Sequence, residues 1–238
     1  MPSLSEIQPG YLIIIEGGDG LGKSTQLNML KDQLESQGRR TLTYDFPNKS
    51  GTPIGQLIGD FLRGRFGQVT PEFLGLAFAA DRLVARKSIV EALSAGTVVL
   101  CDRYVASNIA FQGAKIADDQ RRAQLDGLLR WLEYEVYELP RPDLEIVLTS
   151  SDQHYLEGAH LARANDPTRA YAEGQADIHE ASSDLQRAVN LYFRGLQETP
   201  ALRKVDIEDA EGNRRSTEEM AAIIWGAVMA AMQPSQRG

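Results

Sequence analysis

Short apolar runs alternate along this chain with longer segments in which apolar residues recur every three or four positions. The first run, YLIIIE at 11–16, is continuous and β-branched, which predicts a strand covered on both faces. Leu27, Leu30 and Leu34 follow at helical spacing, and Gly38 ends that segment. The pattern therefore predicts a strand, a glycine-rich loop and a helix, in that order.

The same succession recurs through the rest of the chain. Further strands are predicted at 41–46, 97–101, 144–149 and 202–207. The helices between them include a long one over 71–95 that Thr70 caps, one over 118–138, and a last one that Ser216 and Glu219 open as a capping box. Strands that alternate with helices indicate right-handed crossovers. The predicted fold class is α/β, with a five-stranded parallel sheet flanked by helices on both faces.

One long stretch, residues 150–176, is polar and turn-rich and has no apolar stripe. A loop of that length inside a compact domain is usually a lid or a disordered segment. The chain has 238 residues, 42% of them hydrophobic, which is enough for one domain with a real core. We therefore predict a single domain over 1–238 with a lid at about 150–176.

The acidic composition narrows the range of partners. The formal net charge is −8, whereas nucleic acids and anionic membranes both need a basic face. Apolar runs of four or five residues are too short to cross a membrane, and the first ten residues lack the regions of a signal peptide. The single cysteine, Cys101, fits a reducing compartment. We expect a cytoplasmic protein that binds neither nucleic acid nor membrane.

The loop after the first predicted strand carries a specific chemical signal. Residues 17–24, GGDGLGKS, match the G-x-x-x-x-G-K-[ST] phosphate loop. Glycines let backbone N–H groups turn toward an anion, and the next helix directs its positive end at the same point. Lys23 adds a cation for the β and γ phosphates, and Ser24 offers a hydroxyl to Mg²⁺. The expected nucleoside triphosphate site comprises Gly17, Gly18, Asp19, Gly20, Leu21, Gly22, Lys23, Ser24 and Thr25.

A phosphate loop alone does not identify the group that accepts the phosphate. The chain has no N-K-x-D motif of the kind with which GTPases read guanine. Its third strand runs into Asp102-Arg103-Tyr104, whereas motor and transporter ATPases usually end that strand in Asp-Glu. Two classes of protein remain as interpretations, a small-molecule kinase and a non-catalytic nucleotide switch. The intact set of cations and metal-binding groups argues against the switch.

Four stretches of the chain resemble the thymidylate kinases, which transfer the γ-phosphate of ATP to dTMP. They are EGGDGLGKSTQ at 16–26, DFPN at 45–48, FAADR at 78–82 and DRYVASNIAFQGAK at 102–115. The likeness runs from about residue 11 to residue 149, and loosely to 207. It implies a P-loop NTPase fold of the nucleoside monophosphate kinase type, ATP as donor, Mg²⁺, and a homodimer. The apolar stripe of the long predicted helix is available for such an interface.

The resemblance also implies how the acceptor is bound. Phe78 would stack on thymine, and Arg82, four positions later on the same helix face, would contact its O4. Asn108 would pair with both N3 and O4, and Phe111 would lie against the sugar, where it disfavours a 2′-hydroxyl. The implied acceptor site comprises Asp19, Phe46, Pro47, Lys49, Phe78, Arg82, Arg103, Ser107, Asn108 and Phe111.

Metal binding is expected at Ser24 and Asp102, because Asp102 follows a buried strand at the edge where parallel sheets place their ligands. The catalytic group implied by the resemblance comprises Lys23, Asp19 and Arg103.

A further catalytic arginine is expected from the lid. Nucleoside monophosphate kinases usually supply one from the phosphate loop or from the lid, and position 20 of this loop is Gly. Arg163 and Arg169 are the lid candidates.

Another kinase of the same architecture remains as an alternative, for example one that phosphorylates the 5′-hydroxyl of a deoxynucleoside. Such an enzyme needs an acidic general base near the acceptor. Glu16, at the end of the first predicted strand, is the candidate for that role.

Overall fold

A parallel sheet forms the centre of the computed structural model, which describes residues 9–49, 51–152, 154–155 and 183–233. The five strands lie in the order β2-β3-β1-β4-β5, and every neighbouring pair is parallel. The strands are β1 (Tyr11–Gly17), β2 (Thr41–Asp45), β3 (Val98–Asp102), β4 (Leu144–Thr149) and β5 (Leu202–Asp206). The predicted fold class is confirmed, and each strand lies within one residue of its predicted bounds.

Helices cover both faces of this sheet. They are α1 (Lys23–Ser36), α2 (Pro53–Leu62), α3 (Pro71–Ser94), α4 (Val105–Gly113), α5 (Asp119–Arg130), α6 (Ser183–Gly195) and α7 (Thr217–Ala231). A π-helical turn, Trp131–Val136, continues α5, so the helix predicted over 118–138 changes its winding part-way. In the described part of the chain, no helix combines the length and the apolar character that crossing a bilayer requires.

The alternating side chains of β1 supply two separate cores. Ile13 and Ile15 pack with residues of α1 and α7 on one face of the sheet. Leu12 and Ile14 pack with residues of α3, α4 and α5 on the other face. Because helices cover both faces of the sheet, β1 does not need a polar residue at every second position. This explains its continuous apolar run.

Two helix starts follow the predicted caps. The Phe73 N–H donates to Thr70 Oγ1 at 3.3 Å, with Pro71 in the first turn of α3. At α7 the Glu219 N–H donates to Ser216 Oγ at 3.1 Å, and the Ser216 N–H donates to Glu219 Oε2 at 2.7 Å. This reciprocal pair is the predicted capping box.

Helix α4 has no counterpart among the predicted elements, although its sequence carries part of the family resemblance. All nine of its residues are buried. A helix that is buried on every side has no polar face, and its sequence therefore lacks the amphipathic period by which helices are predicted.

Candidate active site

The phosphate loop connects the end of β1 to the start of α1. Gly17, Gly20 and Gly22 have φ angles of 133°, 78° and 88°, a region that residues with a Cβ rarely adopt. Gly18 is required for another reason, because a Cβ there would lie 2.2 Å from the Tyr155 ring. Backbone conformation and close approach thus account for the glycines of the motif.

Lys23, the first residue of α1, brings its ammonium group back to this loop. Lys23 Nζ donates to the Gly18 carbonyl oxygen at 2.7 Å. Burial lowers the pKa of Lys23 and the charge of Arg103 lowers it further, while nearby carboxylates oppose the shift. An anion that reached the loop would meet a cation already removed from water, where Coulomb attraction is stronger.

Ser24 and Asp102 form the candidate metal site. Ser24 Oγ donates to Asp102 Oδ2 at 2.6 Å, which connects the start of α1 to the end of β3. Asp102 Oδ1 is buried and has no hydrogen-bond partner among the described residues. Buried carboxylate oxygens normally have a partner, and Mg²⁺ prefers hydroxyl and carboxylate oxygens. The chemistry of the two residues therefore fits a magnesium ion.

Arg103 links the phosphate loop to the acceptor side. Its guanidinium pairs with the Asp19 carboxylate, and its Nη1 donates to Gly17 O at 3.2 Å and to Ser107 Oγ at 3.3 Å. The guanidinium carbon lies 5.1 Å from the centroid of the Phe111 ring. The φ angle of Arg103 is 69°, an uncommon value for a non-glycine residue and one found often at functional sites.

Asp19 is held in place from several sides. Besides its pair with Arg103, it accepts from Gln186 Nε2 at 3.0 Å, and its N–H donates to the Tyr155 hydroxyl at 3.1 Å. The Tyr155 hydroxyl in turn donates to Gln186 Oε1. Burial raises the pKa of Asp19, but the charges of Arg103 and Lys23 outweigh it, and the net pKa is lowered. Asp19 is therefore a carboxylate that anchors Arg103 and holds no proton at neutral pH.

A cavity opens beside the loop, between the end of β2 and helices α2, α3 and α4. All ten residues that the resemblance assigns to the acceptor site line it, and three others join them. The lining residues are Asp19, Phe46, Pro47, Lys49, Leu62, Phe78, Arg82, Arg103, Tyr104, Ser107, Asn108, Phe111 and Gln112. The fold thus brings the predicted residues together, and their contact with a substrate stays a prediction.

Arg82, one of the lining residues, forms a buried ion pair with Glu133. Arg82 is 2% exposed and Glu133 0%. Arg82 Nη2 donates to Glu133 Oε1 at 2.6 Å, and Arg82 Nε donates to Glu133 Oε2. Burial lowers the pKa of Arg82, but the charge and hydrogen bonds of Glu133 raise it more, so the guanidinium stays charged.

Glu133 was not predicted from the sequence, although its spacing indicates burial. Acids on an amphipathic helix are ordinarily assigned to the solvent side. Glu133 follows the buried residues Leu125 and Leu129 by eight and four positions, which places it in the apolar stripe. An acid at such a position predicts a buried partner.

The side-chain amide of Asn108 has a defined orientation. Its Nδ2 donates to the Gly75 carbonyl oxygen at 2.9 Å and to Glu133 Oε1 at 3.1 Å. Its Oδ1 is buried and has no hydrogen-bond partner among the described residues. Asn108 Oδ1 therefore has the capacity to accept a hydrogen bond, whereas Nδ2 already donates to two protein acceptors. The expected pairing of Asn108 with N3 and O4 stays a prediction.

Asp81 was also not predicted from the sequence as a site residue. It fixes the segment that follows β2. Asp81 is 1% exposed and accepts from the Asn48 N–H at 2.8 Å and from Thr52 Oγ1 at 3.0 Å. These bonds tie the segment to α3, so that Pro47 and Lys49 lie at the cavity wall.

Glu16 accepts hydrogen bonds at the N-terminal end of α4. The fully buried carboxylate accepts from the backbone N–H groups of Tyr104 at 2.8 Å and Ser107 at 3.2 Å, and from the Ser107 hydroxyl. Burial raises the pKa of Glu16, while these bonds and the charge of Arg103 oppose the shift. Glu16 therefore caps a helix. It is not among the residues that line the cavity, which disfavours the general-base role.

The predicted lid arginines, Arg163 and Arg169, lie outside the described residues. Their catalytic role stays a prediction.

Known proteins are similar to this chain in sequence and in architecture. The family model described as "Thymidylate kinase" matches residues 15–199. The thymidylate kinase of Clavibacter michiganensis subsp. michiganensis is 33% identical over 216 residues, which cover 90% of this chain and 92% of that protein. The enzyme of Clavibacter sepedonicus is 38% identical over 140 residues, 58% of this chain, and the match spans 63% of that relative's length.

A solved structure extends the comparison to three dimensions. The thymidylate kinase of Candida albicans superposes with a TM-score of 0.72 at 26% identity, and the match covers 94% of each chain. Sequence and fold agree, and the chain belongs to the thymidylate kinase family.

Proposed function

We propose that this protein is an ATP-dependent thymidylate kinase that transfers the γ-phosphate of ATP to dTMP. The observation that carries the proposal is the link that Arg103 makes between a complete phosphate loop and a cavity bearing Phe78 and Asn108. Phosphoryl transfer needs its two nucleotides to meet at such a junction. The names of the relatives support dTMP as the acceptor.

The reaction brings two anions together, which explains the local concentration of cations. Two phosphate groups of charge near −2 repel by about 16 kcal/mol at about 4 Å and an effective dielectric constant of about 20. The net charge of −8 on the chain adds to this difficulty. Lys23 at the loop, Arg103 at the junction and Lys49 at the cavity wall are positioned to offset it.

Magnesium completes the donor side of the proposal. Ser24 and Asp102 would hold the ion, and when bound it would neutralise charge on the β and γ phosphates of ATP. Lys23 would bind a phosphate oxygen, and the loop N–H groups would hold the donor in line with the acceptor. No strong general base is needed, because positioning and charge stabilisation supply most of the catalysis.

On the acceptor side, the cavity offers groups of suitable chemistry to a thymine nucleotide. Phe78 would stack on the base, Arg82 would donate to its O4, and Asn108 Oδ1 would accept from its N3–H. The ring of Phe111 would lie against the deoxyribose, where a 2′-hydroxyl would have no polar partner.

The proposal includes a homodimer formed through α3. Five large apolar residues of this helix are 38–55% exposed, namely Phe73, Leu76, Leu83, Val84 and Val90. Their spacing places most of them along one side of the helix, and exposed apolar stripes usually mark an interface. A second copy of the chain is the expected occupant, since two-fold dimers are the commonest oligomers. A monomeric wild-type protein in sedimentation experiments would refute the dimer without affecting the proposed reaction.

We also propose a cytoplasmic location and no nucleic-acid partner. The buried, free thiol of Cys101 suits a reducing compartment. The acidic net charge of −8 disfavours binding to polyanions.

A coupled ADP-release assay with ATP and Mg²⁺ tests the proposed function. The acceptors to compare are dTMP, dUMP, dCMP, dGMP, AMP and thymidine, each over a range of concentrations. We expect the highest kcat/KM with dTMP. A preference for thymidine would mean a 5′-hydroxyl kinase, and ADP release that no acceptor stimulates would refute a nucleotide kinase.

A further inference from the structure

We propose that Glu133 is a positioning residue that makes the site select keto pyrimidines, such as thymine, over amino pyrimidines, such as cytosine. The inference rests on the proposed function, because Arg82 and Asn108 are the residues proposed to contact the base. Glu133 would not touch the nucleotide. It would act by fixing which hydrogen-bonding atoms those two residues present to it.

One carboxylate orients both side chains. Glu133 is fully buried; its Oε2 accepts from Arg82 Nε, and its Oε1 accepts from Arg82 Nη2 at 2.6 Å. The same Oε1 accepts from Asn108 Nδ2 at 3.1 Å. Arg82 and Asn108 come from different helices, α3 and α4, so the carboxylate fixes their relative placement.

Glu133 also determines which end of the Asn108 amide faces the ligand. Nδ2 is surrounded by two acceptors, Glu133 Oε1 and the Gly75 carbonyl oxygen at 2.9 Å. Rotating the amide by half a turn would bring Oδ1 against both oxygens, which repel it. The amide is therefore held with Oδ1 as a buried acceptor that has no partner among the described residues, and we expect the N3–H group of a bound base to supply one.

Arg82 and Asn108 share the carboxylate of Glu133 and both line the cavity, so we expect its wall to present a donor beside an acceptor. Arg82 carries five N–H groups, of which those on Nη1 lie outside its pair with Glu133. Thymine and uracil offer the complementary pattern, the O4 acceptor next to the N3–H donor. Cytosine offers the inverse, an amino donor at C4 next to an unprotonated N3. Cytosine would therefore place donor against donor and acceptor against acceptor, which a site with fixed polar groups rejects strongly.

The substitution Glu133→Gln tests this role because it keeps the shape of the side chain and removes its charge. The new amide can accept through one atom and must donate through the other. It cannot satisfy Arg82 and Asn108 together, so at least one of them loses its fixed orientation. We expect the KM for dTMP to rise at least about tenfold while kcat changes by less than about threefold, because the donor site is untouched. We expect the ratio of kcat/KM for dTMP to that for dCMP to fall at least about tenfold.

The neighbouring pair of Arg86 with Glu138 provides a matched control. It also joins α3 to the segment that follows α5, but Glu138 is 73% exposed and its partner Arg86 does not line the cavity. Glu138→Gln should leave both the KM for dTMP and the selectivity ratio unchanged. Thermal unfolding of all variants, followed by circular dichroism, separates changes in selectivity from loss of the fold.

The selectivity ratio decides the proposal. A folded Glu133→Gln protein with the wild-type ratio would overturn it, as would an equal loss of kcat/KM for dTMP and dCMP, since that pattern indicates a purely structural role. If Glu133→Gln does not fold, Glu133→Asp replaces it, because it keeps the charge but withdraws the carboxylate by one bond. The same two outcomes then apply.

Calorimetric dissociation constants for dTMP and dCMP distinguish this inference from the proposed function. They give the selectivity ratio without turnover. Binding measurements on an inactive protein would therefore still test the role of Glu133. Conversely, a wild-type protein that phosphorylates dTMP and dCMP equally well would keep the kinase activity and refute the inference alone.

Discussion

The donor side and the acceptor side of the proposed site differ in how their buried charged groups are paired. On the donor side, the Lys23 ammonium bonds to a neutral carbonyl, and Asp102 Oδ1 has no partner among the described residues. On the acceptor side, Arg82 and Glu133 are also buried, but they form two hydrogen bonds with each other. On the donor side one buried carboxylate oxygen thus lacks a partner, whereas the two charges of the acceptor wall are paired with each other.

The difference has consequences for function. A buried carboxylate oxygen without a partner is costly, and a ligand that supplies the missing positive charge is bound strongly and oriented by it. A buried, paired charge is held rigidly and contributes specificity of shape and polarity. Changes on the donor side should therefore reduce kcat, and changes on the acceptor side should reduce affinity and selectivity.

The largest effect is expected for Lys23→Met, which keeps the aliphatic stem and removes the charge. Loss of one transition-state cation should lower kcat by about 1,000-fold, or about 4 kcal/mol. The KM for dTMP should change by less than about threefold, because Lys23 does not line the acceptor cavity. Steady-state kinetics with varied dTMP at saturating ATP measures both quantities.

Lys31→Met is the control for this experiment, since Lys31 lies on the same helix and its side chain is 38% exposed. It should leave kcat unchanged. A large rise in the KM for dTMP with an unaltered kcat in Lys23→Met would contradict the division between the two sides.

The next largest effect is expected for Phe78→Ala on the acceptor side. Stacking of a base on an aromatic ring contributes about 1–3 kcal/mol, so the KM for dTMP should rise about 5- to 150-fold. ATP hydrolysis in the absence of dTMP should be unaffected, because the donor site is intact. Initial rates of ADP release with and without dTMP measure the two effects.

Phe66→Ala is the matched control, because the Phe66 side chain is 49% exposed and lies outside the cavity. An equal rise in KM for both variants would indicate a general effect of removing an aromatic ring. It would remove the support for stacking at Phe78.

The same two sides differ in how far the sequence predicts them. The donor loop is contiguous, and its glycines are dictated by local backbone geometry, so the motif predicts it almost entirely. Asp102 could be added because parallel strands end at a common edge. The acceptor cavity draws on segments that are far apart in the chain, and residue patterns alone did not assemble it. Its membership came from the family resemblance.

Residues that act through tertiary contacts were predicted neither from residue patterns nor from the family resemblance. Tyr155 and Gln186 are 31 positions apart, and their contact with Asp19 depends on the placement of α6. Glu133 was missed because amphipathic analysis assigns acids to solvent, although its spacing from Leu129 places it among the buried residues. The physical reason is common to all three, since the role of a buried polar residue depends on a partner that lies far away in the sequence.

The smallest of these effects concerns Asp19, where the two sides meet. Its pKa in the folded protein lies below the ordinary value of 3.8, so the ionised carboxylate stabilises the fold above that pH, and the stabilisation is lost as the pH falls through the folded pKa. Asp19→Asn should therefore lower the free energy of unfolding by about 1–2 kcal/mol at neutral pH. The difference from wild type should shrink as the pH falls below 3.8 and through the lowered folded-state pKa, where the wild-type carboxyl group also becomes protonated. Urea denaturation at a series of pH values measures it, with the exposed Asp32→Asn as control. A difference that stays constant across this range would mean that the Arg103–Asp19 pair does not join the two sides through charge.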